Sequence, residues 1–430
     1  MSAPTVVPVA GDEDAFSRAE LIEDFDAGLA FIKETHPDLS YSANLADLDA
    51  QAALVREKLA DGATAREAWA QMALMNPLFA DAHVGFRRPV AALEKYEEAG
   101  GALFPLPIVI GADGTLRAAA SGPGVQQGDA ILAINGVPAD KTIAYFTPRM
   151  RGETPELGRL VMQLYFPVFY WVKNGGFEDY SVLLQKENGA RATVRLADAT
   201  AYAPTGDDFS YETLDDRVGY LQAKTFSIER LEEFRAFLEG AFAAIEADGV
   251  EDLIIDVRAN GGGATDLSEL LLFYLTDQPF SVISSVKARI TEDNIQLVPV
   301  DGVEVGMALD LPLQQTVTPP ADLANRFDGD VYVLTGKMSY SATIVFATTI
   351  QDYGLGQIAG EAPLGPANQT GQVQIFEMPN TGLEALAPLY IFRRPNADQS
   401  RARIIVDIPI ADDPFDPSAS VEALRARIKQ

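Results

Sequence analysis

An α/β fold is predicted by three patterns in this 430-residue chain. Residues 253–257 (LIIDV) have the continuous apolar character of a buried strand and run straight into Asn260-Gly261-Gly262-Gly263 and then a helical stretch. Residues 331–354 repeat the plan: Val331, Val333 and Leu334 form a short strand run, Gly336 breaks it, and an apolar run from Ala342 to Ile350 ends at Gly354, a plausible helix-terminating glycine. Both segments are a strand, a tight turn and a helix in succession. Upstream, residues 14–98 are rich in Ala, Glu and Leu and carry helical periodicity with no fixed repeat.

In chain order, a first helix starts after Ser17, with Glu20 completing a capping box and Leu21, Phe25, Leu29 and Ile32 forming its apolar stripe. It ends at His36-Pro37, where the histidine suits a C-terminal cap. A second capping box, Thr64 with Glu67, opens a helix expected to stop near Asn76-Pro77. Residues 99–200 mix Gly/Pro turns with short alternating strands such as YSVLLQ from Tyr180, and Asn135-Gly136 reads as a hairpin turn. The aromatic stretch LYFPVFYWV from Leu164 is either core or a docking surface for an apolar peptide. The helix after residue 230 carries Leu231, Phe234, Leu238, Ala241 and Ile245 on one face. Asp266 and Glu269 make a capping-box-like start for the helix after the glycines.

Two positions point to chemistry. Ser341 stands where a strand passes into a helix, beside N–H groups that favour negative charge, although a plain helix cap would also place a serine there. The triplet Gly261-Gly262-Gly263 lets the backbone approach a ligand and aim N–H groups at it, as an oxyanion hole requires; a simple turn and a phosphate cradle are the other readings. The triplet lacks a GKS or GKT ending and dinucleotide spacing, so nucleotide binding is the weaker choice.

LIIDVRANGGG followed by SYSATIVFATTIQDYGLGQIAGE resembles the core of the tail-specific, or C-terminal processing, serine peptidases, whose relatives include tricorn protease and the interphotoreceptor retinoid-binding protein modules. RVGYLQAKTF from Arg217 is similar to that family's first core strand, and GVQQGDAILAINGVPAD from Gly124 to a segment of its PDZ domain. The resemblance implies a ClpP/crotonase-like core over 205–430, a PDZ-like domain over 99–200 and an N-terminal helical domain over 14–98. GALF at Gly101 would be the PDZ-like domain's carboxylate-binding loop.

The same resemblance implies Ser341 as nucleophile. The lysine base of the bacterial processing members falls on Pro366, which cannot take a proton, and the nearest upstream lysine, Lys337, is expected on the wrong side of the strand turn. A base with an ordinary pKa near neutrality is then histidine, and the chain has two, His36 and His83. FADAHVGFRRP resembles the DxH segment of the tricorn and retinoid-binding branch, which implies His83 as the base. The oxyanion donors implied are the N–H groups of Gly262 or Gly263 and of Ala342. The orienting carboxylate implied is Asp398, ahead of RIIVDIPI, with Ser400 as another occupant of the matching position and Asp81 as the local alternative.

Composition narrows the function classes. At 47% hydrophobic the chain can bury large cores in two or three domains. With 62 acidic and 33 basic residues, the net charge of −29 argues against nucleic acid and anionic membrane surfaces. No segment approaches the about 18 to 20 apolar residues of a membrane span. Without cysteine there is no disulfide, thiol nucleophile or thiolate-bound metal, and with two histidines no histidine-rich metal site, so no cofactor is expected. The expected partner is a peptide or protein substrate, cleaved in unfolded or C-terminal segments; nothing sets an oligomeric state. The other classes are a non-catalytic peptide or lipophile binder on the same fold and a scaffold acting through the PDZ-like module. Met1–Ala10 has no basic n-region and no apolar core, so it is not an intact signal peptide, while the resemblance implies a periplasmic or extracellular location.

Overall fold

The computed structural model describes residues 6–7, 14–196, 207–215, 217–292, 294–298, 301–312 and 316–429. The Met1–Ala10 reading, Val6 and Val7 apart, and the boundary expected between 200 and 205 lie outside the described residues. The chain divides into two compact units, one of Met1–Pro204, Arg289–Met307 and Gln372–Leu389, the other of Thr205–Ala288, Ala308–Gly371 and Tyr390–Gln430.

In the first unit the expected helix runs Arg18–Thr35 with the Ser17/Glu20 capping box formed, and Leu21, Phe25, Leu29 and Ile32 are all buried. Thr64 and Glu67 likewise cap Ala65–Met72. Pro77 does not stop this region: it lies in the first turn of a further short helix, Asn76–Phe79, where its missing N–H costs nothing. An antiparallel sheet follows, built from Ile108–Ile110, Leu116–Ala118, Ala130–Ile134, Tyr180–Gln185 and Arg191–Leu196. Asn135 and Gly136 take φ of 50° and 79° and turn Ala130–Ile134 back into Val137–Pro138, as the hairpin reading requires. The aromatic stretch forms the helix Phe166–Asn174, buried along most of its length, so it is core and not a docking surface. Its rings join the helical segment: Trp171 lies 5.5 Å from Tyr96 and Phe169 lies 6.0 Å from Trp69. Residues 14–98 and the strands after them therefore share one hydrophobic cluster.

His36 caps the first helix through its backbone, as expected, but its ring is fully buried. Nδ1 accepts the Asp38 N–H at 3.0 Å and the Nε2 atom is buried without a partner. Burial, opposed by Asp81 and Asp38 and assisted by Arg289, lowers its pKa from 6.5 to about 4. The unfolded chain thus binds the extra proton first. The associated stability, on the order of 3 kcal/mol, is complete above about pH 6.5 and is lost as the pH falls towards 4. Denaturant titrations at about pH 7 and pH 4.5 should show this loss in the wild type and a much smaller one in His36→Gln; equal losses would remove His36 from the acid response.

The second unit holds a sheet in the order Phe209–Thr213, Val218–Ala223, Asp252–Asp256, Asp330–Thr335, Gln357–Gly360 and Ile408–Pro409. The first pair is antiparallel and every later pair parallel. Leu253, Ile254 and Ile255 are fully buried, since helices lie against both faces of such a strand. One face packs on the helices Leu231–Asp248, Thr265–Phe273 and Ala342–Tyr353, the other on Pro417–Ile428. Gly354 ends its helix in the left-handed conformation. The Asp266/Glu269 capping box is absent: Ala264 is the cap residue, and its N–H is held by the Phe226 carbonyl at 2.8 Å, so a strand-like bridge sets where the helix begins.

Candidate active site

Ser341 is not a capping serine. It sits at the start of Ala342–Tyr353 with φ 53° and ψ −125°, and its side chain makes no cap hydrogen bond. A non-glycine residue in that region carries about 1–3 kcal/mol of backbone strain, the kind that functional positions retain. The helix it opens is buried from Ala342 to Ile350, which clamps the turn from below. Ser339 is different: fully buried, its hydroxyl donates to the Val257 carbonyl at 2.8 Å and accepts the Gly336 N–H at 3.0 Å, so it ties the two strand ends together.

The glycine turn closes on this serine. Gly262 has φ 100°, and a Cβ there would stand 2.6 Å from both Ser341 Cβ and the Tyr340 carbonyl and 3.0 Å from Ala342 N. Only glycine permits that approach. Asn260, fully buried, shapes the turn: its Nδ2 donates to the Ala223 carbonyl at 3.1 Å, its Oδ1 accepts the Gly262 N–H at 2.9 Å, and its own carbonyl accepts the Tyr340 N–H at 3.2 Å. The Gly262 N–H is therefore already committed, which corrects its assignment as an oxyanion donor. The N–H groups of Gly263 and Ala342 donate to no acceptor among the described residues. Gln369 supports the serine from behind, its Nε2 donating to the Ser341 carbonyl at 2.7 Å. Gly262→Ala should lower kcat by about 10²–10³ and lower Tm, because the new methyl displaces the turn from Ser341. Gly261→Ala, where a Cβ meets nothing within 4 Å, should change neither; equal behaviour of the two variants would mean that the close approach is unimportant.

Also in the second unit, Pro366 is buried. Lys337 is paired with Glu361 at 3.5 Å. Asp398 is exposed, and its carboxylate accepts the Ser400 N–H at 3.0 Å and the Ser400 hydroxyl at 2.7 Å, bonds that hold its pKa below the ordinary carboxylate value. Its loop is anchored through the backbone, with Asn368 Nδ2 donating to the carbonyls of Asp398 and Ser400. Asp398 thus caps its own turn.

His83 lies in the first unit on a segment fixed at both ends. Ala80, with φ 47°, ends the helix Asn76–Phe79, and Asp81 Oδ1 accepts the His83 N–H at 2.8 Å. Asn76, almost fully buried, accepts the Phe86 N–H at 2.8 Å and donates to the carbonyls of Phe86 and Arg149, while Arg151 Nη1 donates to the Ala82 carbonyl at 2.9 Å. Gly85, φ 130°, is needed because a Cβ would fall 2.3 Å from Asn76 Oδ1. The His83 ring is 13% exposed, and its Nδ1 stands 3.8 Å from the buried Asp81 Oδ1, an electrostatic contact longer than a hydrogen bond. Burial lowers its pKa from 6.5, Asp81 raises it and Arg151 lowers it, with burial largest. Among the described residues there is no cluster of three or more metal-ligating side chains and no helix long and apolar enough to cross a membrane.

Residues 217–410, which contain the parallel strands of the sheet, the glycine turn and the serine turn, match the model of peptidase family S41. Residues 217–410 belong to that family. The tail-specific protease of Haemophilus influenzae is 25% identical over 179 residues, which are 41% of this chain and 20% of the relative's length. The match therefore spans one fifth of that relative. Among solved structures, mature CPAF aligns with a TM-score of 0.66 at 14% identity, covering 95% of this chain and 96% of its own. The photosystem II D1 C-terminal processing protease aligns with a TM-score of 0.52 at 16% identity, covering 92% and 94%. At these identities the structural likeness concerns the fold.

Proposed function

We propose that this protein is a serine peptidase with Ser341 as nucleophile and His83 as general base, acting on unfolded or C-terminal segments of proteins outside the cytoplasm. The strained Ser341 turn, with Gly262 packed against it and the N–H groups of Ala342 and Gly263 donating to no acceptor among the described residues, carries the reading. Ser341 Oγ attacks the peptide carbonyl, its proton passes to His83, and the oxyanion forms against those two N–H groups. His83 then returns the proton to the leaving amine, and water repeats the cycle on the acyl enzyme. Asp81, buried against His83 Nδ1, is favoured over the exposed Asp398 as the carboxylate that stabilises the imidazolium. A lysine base finds little support, with Pro366 at the family's position and Lys337 paired with Glu361. Residues 99–196 act in this reading as a PDZ-like module that presents substrate.

The test is labelling by a fluorophosphonate probe, whose phosphorus is attacked by an activated serine with loss of fluoride: the wild type should react and Ser341→Gly should not. Binding of peptide without labelling or hydrolysis would favour a non-catalytic binder. The pH profile adds a second measurement. A base works only when unprotonated, and burial moves the His83 pKa down, so the acidic limb of kcat/KM should lie below about pH 6.5. A limb above about pH 8.5 would point to a lysine.

A further inference from the structure

Three arginines, Arg88, Arg149 and Arg151, line one small cavity of about 30 Å³ in the first unit, walled also by Asn76, Phe86 and Tyr165. In a chain with 62 acidic side chains, cations would be expected to find carboxylates. Here two of them do not. Arg149, 9% exposed, spends Nε on the Ala70 carbonyl at 2.7 Å and Nη1 on the Tyr145 carbonyl, and stacks 4.0 Å from the Tyr145 ring centroid. Arg88 lies 4.1 Å over the Tyr165 ring, and its Nε is buried with no partner. The nearby carboxylate of Glu384 is taken by Arg87 at 2.8 Å. Desolvation disfavours the charged form of both Arg88 and Arg149.

Partly desolvated cations whose nearest carboxylate is shared with another arginine are costly, and several beside one cavity add mutual repulsion. The cavity has room for one or two water-sized particles. We propose that it binds a single monovalent anion of chloride size, held by Arg88 Nε and the guanidinium of Arg149. The anion supplies the missing counter-charge. Its position also matters for the proposed base, and this part rests on the His83 reading. Asn76, in the cavity wall, pins Phe86, and Arg151, another wall, holds the carbonyl of Ala82 next to His83. An occupied site would therefore lock the segment that carries His83. The charged groups acting on His83 are Asp81 and Arg151; an anion beside Arg151 offsets its field, makes His83 easier to protonate, and moves the acidic limb of kcat/KM to higher pH.

The experiment replaces gluconate by chloride or bromide at constant ionic strength and follows thermal unfolding of the full chain. A saturable rise in Tm of about 2–4 °C is expected in the wild type and its loss in Arg88→Gln. A bromide-soaked crystal should give an anomalous peak in the cavity. A Tm indifferent to halide, or a cavity holding water only, overturns the proposal. The crystal measurement uses the wild type, so it decides even if Arg88→Gln does not fold. Neither readout needs peptidase activity: halide binding in an inactive protein would sink the peptidase reading and leave the anion site standing.

Discussion

Alanine at position 341 is expected to lower kcat by about 10⁶, the loss seen when a serine nucleophile is removed from an enzyme that retains its oxyanion hole. The protein should stay folded. The Ser341 hydroxyl makes no cap bond, so its removal forfeits no helix-capping energy. Ser341→Gly should be equally inactive yet more stable than Ser341→Ala by about 1 kcal/mol or more, because glycine relieves the strain of φ 53°. Single-turnover hydrolysis of an unfolded protein substrate, with Tm measured on the same samples, checks both effects. Persistent activity in either variant would move the nucleophile elsewhere. Ser339 is a poor substitute, since its hydroxyl is buried between Val257 and Gly336.

Loss of His83 should have the next largest effect. His83→Ala is expected to reduce kcat/KM by about 10²–10⁴ or more while the segment stays in place, since the bond holding it to Asp81 is made by the backbone N–H. His36→Ala should behave in the opposite way, with near-normal turnover at neutral pH and altered acid stability, because its buried ring has a pKa of about 4. Near-normal kcat/KM in folded His83→Ala would end the serine–histidine assignment. A reduction caused only by misfolding would show as a lowered Tm, which separates it from loss of a base.

The elements that could be read from the sequence are those whose cause is local. The Leu21, Phe25, Leu29, Ile32 stripe, the Ser17 and Thr64 capping boxes and the Asn135-Gly136 turn formed as read, because each depends on residues within a few positions of one another. The strand, glycine turn and serine turn were visible for the same reason. Local signals failed where a distant group intervened. The Asp266/Glu269 cap gave way to a bridge with Phe226, and Pro77 began a short helix in place of ending one. Asn76 and Gln369 gave no sign of their roles, since a buried amide is distinguished only by what surrounds it.

By itself the sequence determined that a serine would open an apolar helix and that a buried strand would run into a glycine-rich turn. These are consequences of period, side-chain size and the conformational freedom of glycine. Only the tertiary structure decided that Ser341 would be strained and uncapped, that Asn260 would take the Gly262 N–H and leave those of Gly263 and Ala342, and that Asp81 would lie buried beside His83 while Asp398 stayed in solvent. Hydrogen-bond partners and burial are set by packing between segments far apart in the chain, and no spacing rule along the chain encodes which carboxylate or N–H group that packing will occupy.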